Sequence, residues 1–316
     1  MLQISKKSYN FVNAKHACFA LIYIIMGRKN LLESSFEAIE LFFDSFGLKS
    51  FSEYRLIEVI NKNRDLWNIP YSKPAKQIIL YLLKREVLLK NVIYAFSSEE
   101  KIIYSWKTKD EFTVISGIKS NSYFVYYSAL FLHQLSLQIP KTIYLNFEHK
   151  SIMSTSKERL TQISIDEIFQ GSQRKSSLSY SYSDKKIVLT NGKFTDKLGV
   201  IRMHNREQSF EYTDIERTLI DISVRPVYAG GVFEVLEAYK IAKPKLNVPL
   251  MAEYLEKLDF IYPYHQVIGF YLEKANYSET DLTYFKKEMN YNFYLTYGLR
   301  KKEFSQKWKL YYPSGF

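Results

Sequence analysis

The chain has 316 residues, 47% of them hydrophobic and 24% charged, which is apolar mass enough for two or three domains and excludes a disordered chain. Only 11 glycines and 8 prolines stand against 27 tyrosines and 22 phenylalanines, which excludes collagen-like, linker-like and many-turned repeat architectures. Lys and Arg number 44 against 33 Asp and Glu, a net charge of +11, and an excess of that size favours a polyanionic partner.

Residues 1–48 read as a helical extension. Ala17 to Met26 is an apolar run of ten residues, too short to cross a bilayer, which takes about 20. Gly27-Arg28-Lys29 follows at once with no small-residue cleavage site, so the run reads as a buried helix over Ala17–Ile25 rather than a secretion signal. No membrane partner is expected. Cys18, the single cysteine, excludes an intrachain disulfide and cysteine-based zinc or iron–sulfur sites, and a reducing, cytoplasmic compartment is the default. Phe36, Ile39, Leu41, Phe42 and Phe46 recur at helical spacing, and Gly47 is a natural stop.

Residues 49–109 change texture. Over Phe51–Trp67, Leu56, Ile57, Val59, Ile60, Leu66 and Trp67 share one side of a helix, with Glu58, Asn61, Lys62 and Asp65 on the other. Asn68-Ile69-Pro70-Tyr71 breaks it, because proline biases the preceding residue away from helix. A second helix opens at Ser72-Lys73-Pro74, capped by Ser72 or Lys73, with Pro74 tolerated in its first turn. Ala75, Ile78, Ile79 and Leu82 follow the i, i+3, i+4, i+7 pattern and face the core. Lys73, Lys76, Gln77 and Lys84 share the opposite face, interrupted by Leu80. Val92–Phe96 and Lys101–Trp106, separated by Ser97-Ser98-Glu99-Glu100, read as a hairpin. Helix, short turn, helix with a basic outer face, then hairpin is the order of a winged helix-turn-helix, whose second helix enters the DNA major groove. Between residues 50 and 109 stand 11 Lys and Arg against 6 Asp and Glu.

Residues 110–245 read as a mixed α/β domain. Ser122–Leu137 looks helical up to Pro140, Thr142–Phe147 a strand, and Ser164–Phe169 a short helix. Ser177–Tyr182 and Lys185–Thr190 form a hairpin around Ser183-Asp184, followed by a tight turn at Asn191-Gly192. Thr213-Asp214-Ile215-Glu216 has the spacing of a capping box opening a helix Ile215–Val224, with Arg217 and Asp221 four apart and able to pair. Pro226 ends it, and Gly230-Gly231 precedes a helix Phe233–Ala242. Residues 246–316 read as a C-terminal helical segment, with helices at Ala252–Leu258, Val267–Ala275 and Asp281–Met289 and an aromatic-rich end. The fold class expected is therefore α+β: an N-terminal winged helix-turn-helix, a mixed α/β domain and C-terminal helices.

Two stretches together resemble a known family. Ser128-Ala129-Leu130-Phe131-Leu132-His133-Gln134-Leu135 resembles the S-A-L-x-L-H-G-L helix of AbiEi-family antitoxins, with Gln134 where the family usually has glycine. Thr213-Asp214-Ile215-Glu216-Arg217-Thr218-Leu219-Ile220-Asp221, then Arg225-Pro226 and Ala229-Gly230-Gly231, resembles the family's later signature. The resemblance spans roughly residues 50–245 and places a winged helix before both motifs. It implies an antitoxin of a type IV toxin–antitoxin pair from a phage-defence locus. It also implies a transcriptional autorepressor that binds double-stranded operator DNA, and one that opposes a nucleotidyltransferase-like toxin without forming a stable complex with it.

The residues expected at the DNA follow from the helix itself. Lys73, Lys76 and Lys84 supply charge to phosphates, and Gln77 can pair bidentately with adenine. Tyr71 and Ser72 sit at the helix start, where exposed N–H groups favour an anion. Arg55, Lys62 and Arg64 are expected to flank the backbone, with Lys90 and Lys101 acting from the wing. No catalytic residue, metal ligand or cofactor is expected: His16, His133, His149, His204 and His265 show no His-x-x-x-His spacing, and His133 reads as a hydrogen-bonded core histidine. Three rivals remain. Asp184-Lys185-Lys186, with Asp166 or Glu167 upstream, imitates part of a metal-dependent nuclease core. Gly171-Ser172 with Asp184 imitates a nucleotidyltransferase opening, but Lys185-Lys186 supplies no second carboxylate. A non-enzymatic protein-interaction scaffold would use the aromatic end as its interface.

Overall fold

The structure, a computed structural model, describes residues 31–149 and 160–316. The helix expected at Ala17–Ile25 lies outside the described residues. The protein is mixed α+β, and its described residues form two compact units, 31–46 with 54–88, and 47–53 with 89–149 and 160–316. The sequence texture suggested divisions at 49, 110 and 246; the units part instead on either side of one helical stretch.

In the first unit, α1 (Leu31–Ser34) and α2 (Phe36–Ser45) are followed by α3 (Glu53–Lys62) and α4 (Ala75–Lys84). Helix α3 is shorter than expected at both ends: Ser50–Ser52 is a strand, β1, and the helix stops at Lys62, with turns over residues 63–68. Ile39 and Phe43 of α2, Leu56, Val59 and Ile60 of α3, and Ile78, Ile79 and Leu82 of α4 are all buried. Each such side chain stabilises by roughly 1.5–3 kcal/mol relative to exposure. Trp67 closes this core, with the Phe42 ring edge-on at 5.3 Å and the Phe43 ring at 5.9 Å. The N-cap of α4 is Pro74 itself, with no side-chain cap bond, so neither Ser72 nor Lys73 performs that role.

The second unit is built on a nine-stranded mixed sheet in the order β1-β3-β2-β6-β7-β5-β4-β9-β8. Its strands are β2 (Leu88–Ala95), β3 (Glu100–Trp106), β4 (Ser122–Phe124), β5 (Thr142–Glu148), β6 (Ser179–Tyr182), β7 (Lys185–Gly192), β8 (Val200–His204) and β9 (Ser209–Thr213). β1 runs antiparallel to β3, Ser50 opposite Ser105. β5 and β7 form the parallel centre, from Thr142 opposite Lys186 to Glu148 opposite Gly192. Ile187, Val188, Leu189 and Thr190 are buried in succession, as befits a strand covered on both faces. The tight turn expected at Asn191-Gly192 is instead the end of this strand.

The helices of this unit are α5 (Glu111–Ser116), α6 (Tyr126–Leu132), α7 (Gln162–Gln170), α8 (Ile215–Val224), α9 (Val232–Ala242), α10 (Val248–Leu258), α11 (Tyr264–Lys274) and α12 (Glu279–Thr283). The long helix expected over Ser122–Leu137 is a three-residue strand followed by α6, and the helix expected to reach Met289 stops at Thr283. The C-terminal end is not helical. Short strands β10 (Phe293–Tyr294), β11 (Lys302–Ser305) and β12 (Leu310–Pro313) form a small sheet in the order β10-β12-β11. Their aromatics are drawn inward, with Phe293 and Trp308 fully buried and Phe304, Tyr311 and Tyr312 half-buried.

Trp308 seats against α11 at Gly269, where an added Cβ would stand 2.1–2.7 Å from three ring atoms. Gly269→Ala should therefore force the indole or the helix to shift, and overpacking of this kind costs about 1–3 kcal/mol. Urea unfolding followed by tryptophan fluorescence would measure it, and a midpoint equal to wild type would show that the seat is looser than it stands here.

Candidate nucleic-acid interface

Helix α4 forms because its aliphatic residues recur at helical spacing and no glycine or proline interrupts Ala75–Lys84. Burial of Ile78, Ile79 and Leu82 fixes its rotation about its own axis. Lys76, Gln77, Leu80 and Lys84 are consequently exposed, and Lys73 is half-buried. The first turn carries no acidic residue, and Lys84 adds a cation in the last. Tyr71 and Ser72 are exposed at the helix entrance. Beyond the helix end, Arg85 lies over the Phe36 ring at 4.4 Å and donates through Nε to the Tyr81 hydroxyl at 3.0 Å.

The cations assigned to flank the DNA backbone divide into two kinds. Arg55 and Lys62, on α3, both reach Glu58, at 2.6 and 2.8 Å. Those hydrogen bonds, from Lys62 first and Arg55 next, hold the Glu58 carboxyl below its ordinary range. Exposed pairs of this kind hold with little energy, so both cations can exchange the carboxylate for a phosphate. Arg64 is different. It is 3% exposed, donates from Nε to the Asn61 side chain at 2.9 Å and from a terminal nitrogen to the Pro70 carbonyl at 3.1 Å, and stacks near the Tyr71 ring at 5.4 Å. It ties down the connection into α4, and its expected place at the DNA backbone is corrected to that structural one.

The expected wing also needs correcting. The β2–β3 hairpin is no free flap: β2 pairs antiparallel with β6 through Tyr94 opposite Ser181 and Ala95 opposite Tyr180, inside the nine-stranded sheet. Its tip carries an exposed Phe96 beside Glu99 and Glu100, an acidic rather than a basic end. Lys90 is exposed on β2. Lys101 is half-buried, donates to the Ile118 carbonyl at 2.6 Å, and has its pKa pushed down by burial and then by Lys119. It serves the protein interior and not an outside anion.

The two family-like motifs stand in the second unit, where they do architectural work. Ser128, Ala129, Leu130 and Leu135 are buried, and the Ser128 hydroxyl receives the Tyr144 N–H of β5 at 2.7 Å. His133 Nε2 lies 2.7 Å from the Thr213 carbonyl, so the first motif is bonded to the start of the second. Burial pushes the His133 pKa down, partly offset by that bond, and the carbonyl partner selects the tautomer with the proton on Nε2. Gln134 follows with φ of 60°, a left-handed helix end where glycine would be at ease. The capping box expected from Thr213 and Glu216 does not form. Asp214 is the N-cap, accepting from the Arg217 N–H at 2.8 Å, while Glu216 accepts from the Asn247 N–H at 2.8 Å. Burial pushes the Asp214 carboxyl up to about 6 despite bonds from Arg217 N–H and the Tyr254 hydroxyl.

Arg217 and Asp221 pair as their spacing predicts, Nε to Oδ1 at 2.9 Å, with side chains only 8% and 12% exposed. Sequence reasoning did not find what surrounds them. Arg217 also donates to the Leu198 carbonyl at 2.8 Å. The 195–198 loop is held by Glu148, which accepts from the Thr195 N–H at 2.9 Å, the Thr195 hydroxyl and the Tyr123 hydroxyl at 2.9 Å. Burial alone would raise the Glu148 carboxyl, but donations from Thr195, Tyr123 and Lys197 hold it below its ordinary value.

Asp184 is 84% exposed at the β6–β7 turn, Lys185 faces Glu111 at 3.5 Å, and Asp166 accepts from Gln162 at 2.8 Å and the Tyr294 hydroxyl at 2.9 Å. Among the described residues no three His, Cys, Asp or Glu converge as a metal ion needs, and no helix is long and apolar enough to cross a membrane.

No family model and no curated protein matches the chain. Among solved structures, the crystal structure of RV2827C protein from Mycobacterium tuberculosis is similar over 88% of this chain and 90% of that one, with a TM-score of 0.48 and 9% sequence identity, a likeness too slight to bear on function.

Proposed function

We propose that the protein is a non-enzymatic, DNA-binding repressor of its own operon and the antitoxin of a type IV toxin–antitoxin pair, acting in the cytoplasm. The observation that carries the DNA-binding half is α4, which buries Ile78, Ile79 and Leu82 and leaves Lys76, Gln77 and Lys84 outward. The order of elements, α2, β1, α3, α4, β2, β3 with β1 paired to β3, supports reading this region as a winged helix, α4 being the recognition helix. The antitoxin half is supported by the two family-like motifs. It proposes that the second unit opposes a nucleotidyltransferase-like toxin without a stable complex.

Gel-shift titration against the duplex upstream of the coding sequence, across a salt series, tests the reading. Each phosphate contact contributes about −0.9 to the slope of log affinity against log salt. Lys76→Ala and Lys84→Ala should each flatten it by about one. An unchanged slope for both would remove α4 from the groove. The same variants should still relieve growth arrest by the neighbouring toxin gene, since neutralisation is assigned elsewhere; loss of relief would mean that repression alone accounts for it.

A further inference from the structure

The outward face of α4 is not uniformly cationic. Leu80 stands midway along it, 64% exposed, in the stripe formed by Lys76, Gln77 and Lys84. By helix geometry it lies about 40° around the axis from Lys76 and from Lys84, and about 6 Å along the axis from each. A scattered exposed leucine needs no explanation by itself. This one is centred between two lysines whose charge suits the phosphates on either side of a groove. Leucine offers nothing to a phosphate or to a hydrogen-bonding base edge. The one apolar feature on the floor of the major groove is the C5-methyl of thymine.

We propose that Leu80 reads a thymine methyl, and that with Gln77 it makes α4 select two neighbouring A·T pairs. The proposal rests on the DNA-binding reading of α4 and adds the specificity to it. Gln77 and Leu80 are three residues apart, about 4.5 Å along the helix, close to the 3.4 Å step between base pairs. Gln77 offers the donor and acceptor that adenine N7 and N6 match. Leu80 then covers the methyl of the adjacent thymine. Over a G·C pair the same leucine would bury the guanine acceptors or the cytosine amino group without a partner, which penalises that pair. Lys76 and Lys84 supply affinity without sequence, and Leu80 and Gln77 supply sequence with little charge.

The test begins with the full-length protein and a duplex pool randomised over 20 central base pairs, selected at fixed salt. Each thymine of the enriched duplex is then replaced singly by deoxyuracil, which keeps the pairing and lacks only the methyl. The expected result is one position at which wild type binds about three- to fivefold more weakly on dU, as the loss of one buried methyl contact implies. Leu80→Ala should bind the thymine duplex more weakly by a similar factor, lose nothing further on dU there, and keep the wild-type salt slope. Leu80→Met, which retains an apolar tip, should keep the dU penalty. Leu80 is exposed, and alanine favours helix, so the alanine variant should melt where wild type does.

Indifference of the wild type to dU at every position overturns the proposal, as does a dU penalty that persists undiminished in Leu80→Ala. Salt-dependent binding with no enriched sequence overturns it too, while leaving the phosphate-binding role of α4 intact. Absence of salt-dependent binding removes the DNA-binding reading along with it. A Leu80→Ala variant whose DNA profile is unchanged but whose elution volume shifts assigns the leucine to a protein contact instead.

Discussion

Arg217→Ala should destabilise the second unit by about 3–5 kcal/mol, the loss expected when one partner of a buried ion pair is removed and the other charge stays behind. The side chain left behind is Asp221, 12% exposed and with Arg217 Nε at 2.9 Å. Burial pushes its carboxyl up, and Arg217 is the main influence drawing it back down. In return, the charge of Asp221 keeps the guanidinium firmly protonated in spite of burial. The substitution also strips the Leu198 carbonyl of its donor. Crowding limits any repair: an added Cβ on Gly199, at φ of 67°, would stand 2.7 Å from the Arg217 Cβ, so the backbone already lies against this side chain.

Chemical denaturation monitored by far-UV circular dichroism would register the loss, together with a fall in melting temperature on the order of 10 °C. The control is the double variant Arg217→Met with Asp221→Leu. Removing both charges removes the uncompensated one, so the double variant should be more stable than Arg217→Ala alone. A single variant within about 1 kcal/mol of wild type would reassign the pair as an ordinary surface bridge of the kind found near 0–1 kcal/mol.

Features carried by periodicity were legible in the sequence, and those carried by pairing across the chain were not. Helix α4 buries Ile78, Ile79 and Leu82, at i, i+1 and i+4, so its faces could be assigned residue by residue. Arg217 and Asp221 sit one helical turn apart, and their pairing followed from that alone. Strand β1 is three residues long, Ser-Phe-Ser, and β4 is Ser-Tyr-Phe. Neither completes two periods of alternation, so both merged with the helices that follow them. The strands of the C-terminal sheet are two to four residues long, and their aromatics suit a sheet, a helix or an interface equally well. Arg64 looked like any other cation of a basic stretch. Its burial depends on the Pro70 carbonyl six residues on, a backbone group with no signature in the sequence. The same limit applied to Lys101, whose partner is the carbonyl of Ile118.

The second large effect concerns where the chain can be cut. A fragment beginning at residue 110, the boundary suggested by sequence texture, should fail to fold. The cut removes β1, β2 and β3 from one side of the nine-stranded sheet and turns β6, still paired with β7 but stripped of β2, into an edge strand. It takes Ile93 and Ile103, both fully buried, out of the core that also holds Phe112, Val114, Ile115 and Ile118. It also uncovers α5, where the Ser50 hydroxyl donates to the Val114 carbonyl at 3.1 Å and Gly117 lies so close that an added Cβ would be 2.3 Å from Ser50 Oγ. Two fully buried isoleucines lost from one core cost several kcal/mol on the scale of truncations to alanine, which run about 2–5 kcal/mol each. That is comparable to the whole stability of a typical domain. The chain path offers a better cut. The unit's described residues are 47–53, 89–149 and 160–316, so the helices over 54–88 interrupt it between β1 and β2. In the sheet order those two strands are separated only by β3, about 10 Å at the usual strand spacing. Replacing residues 54–88 with an eight-residue Gly/Ser linker should therefore preserve a cooperative thermal transition, while 110–316 shows none and aggregates. A cooperative 110–316 fragment, or a linker-closed chain without a transition, would show that the helical stretch and the sheet are a single folding unit divided elsewhere. The linker-closed chain would also lack α4, so cooperative folding with no salt-dependent binding to duplex DNA is the pair of results expected if groove recognition belongs to the helices alone.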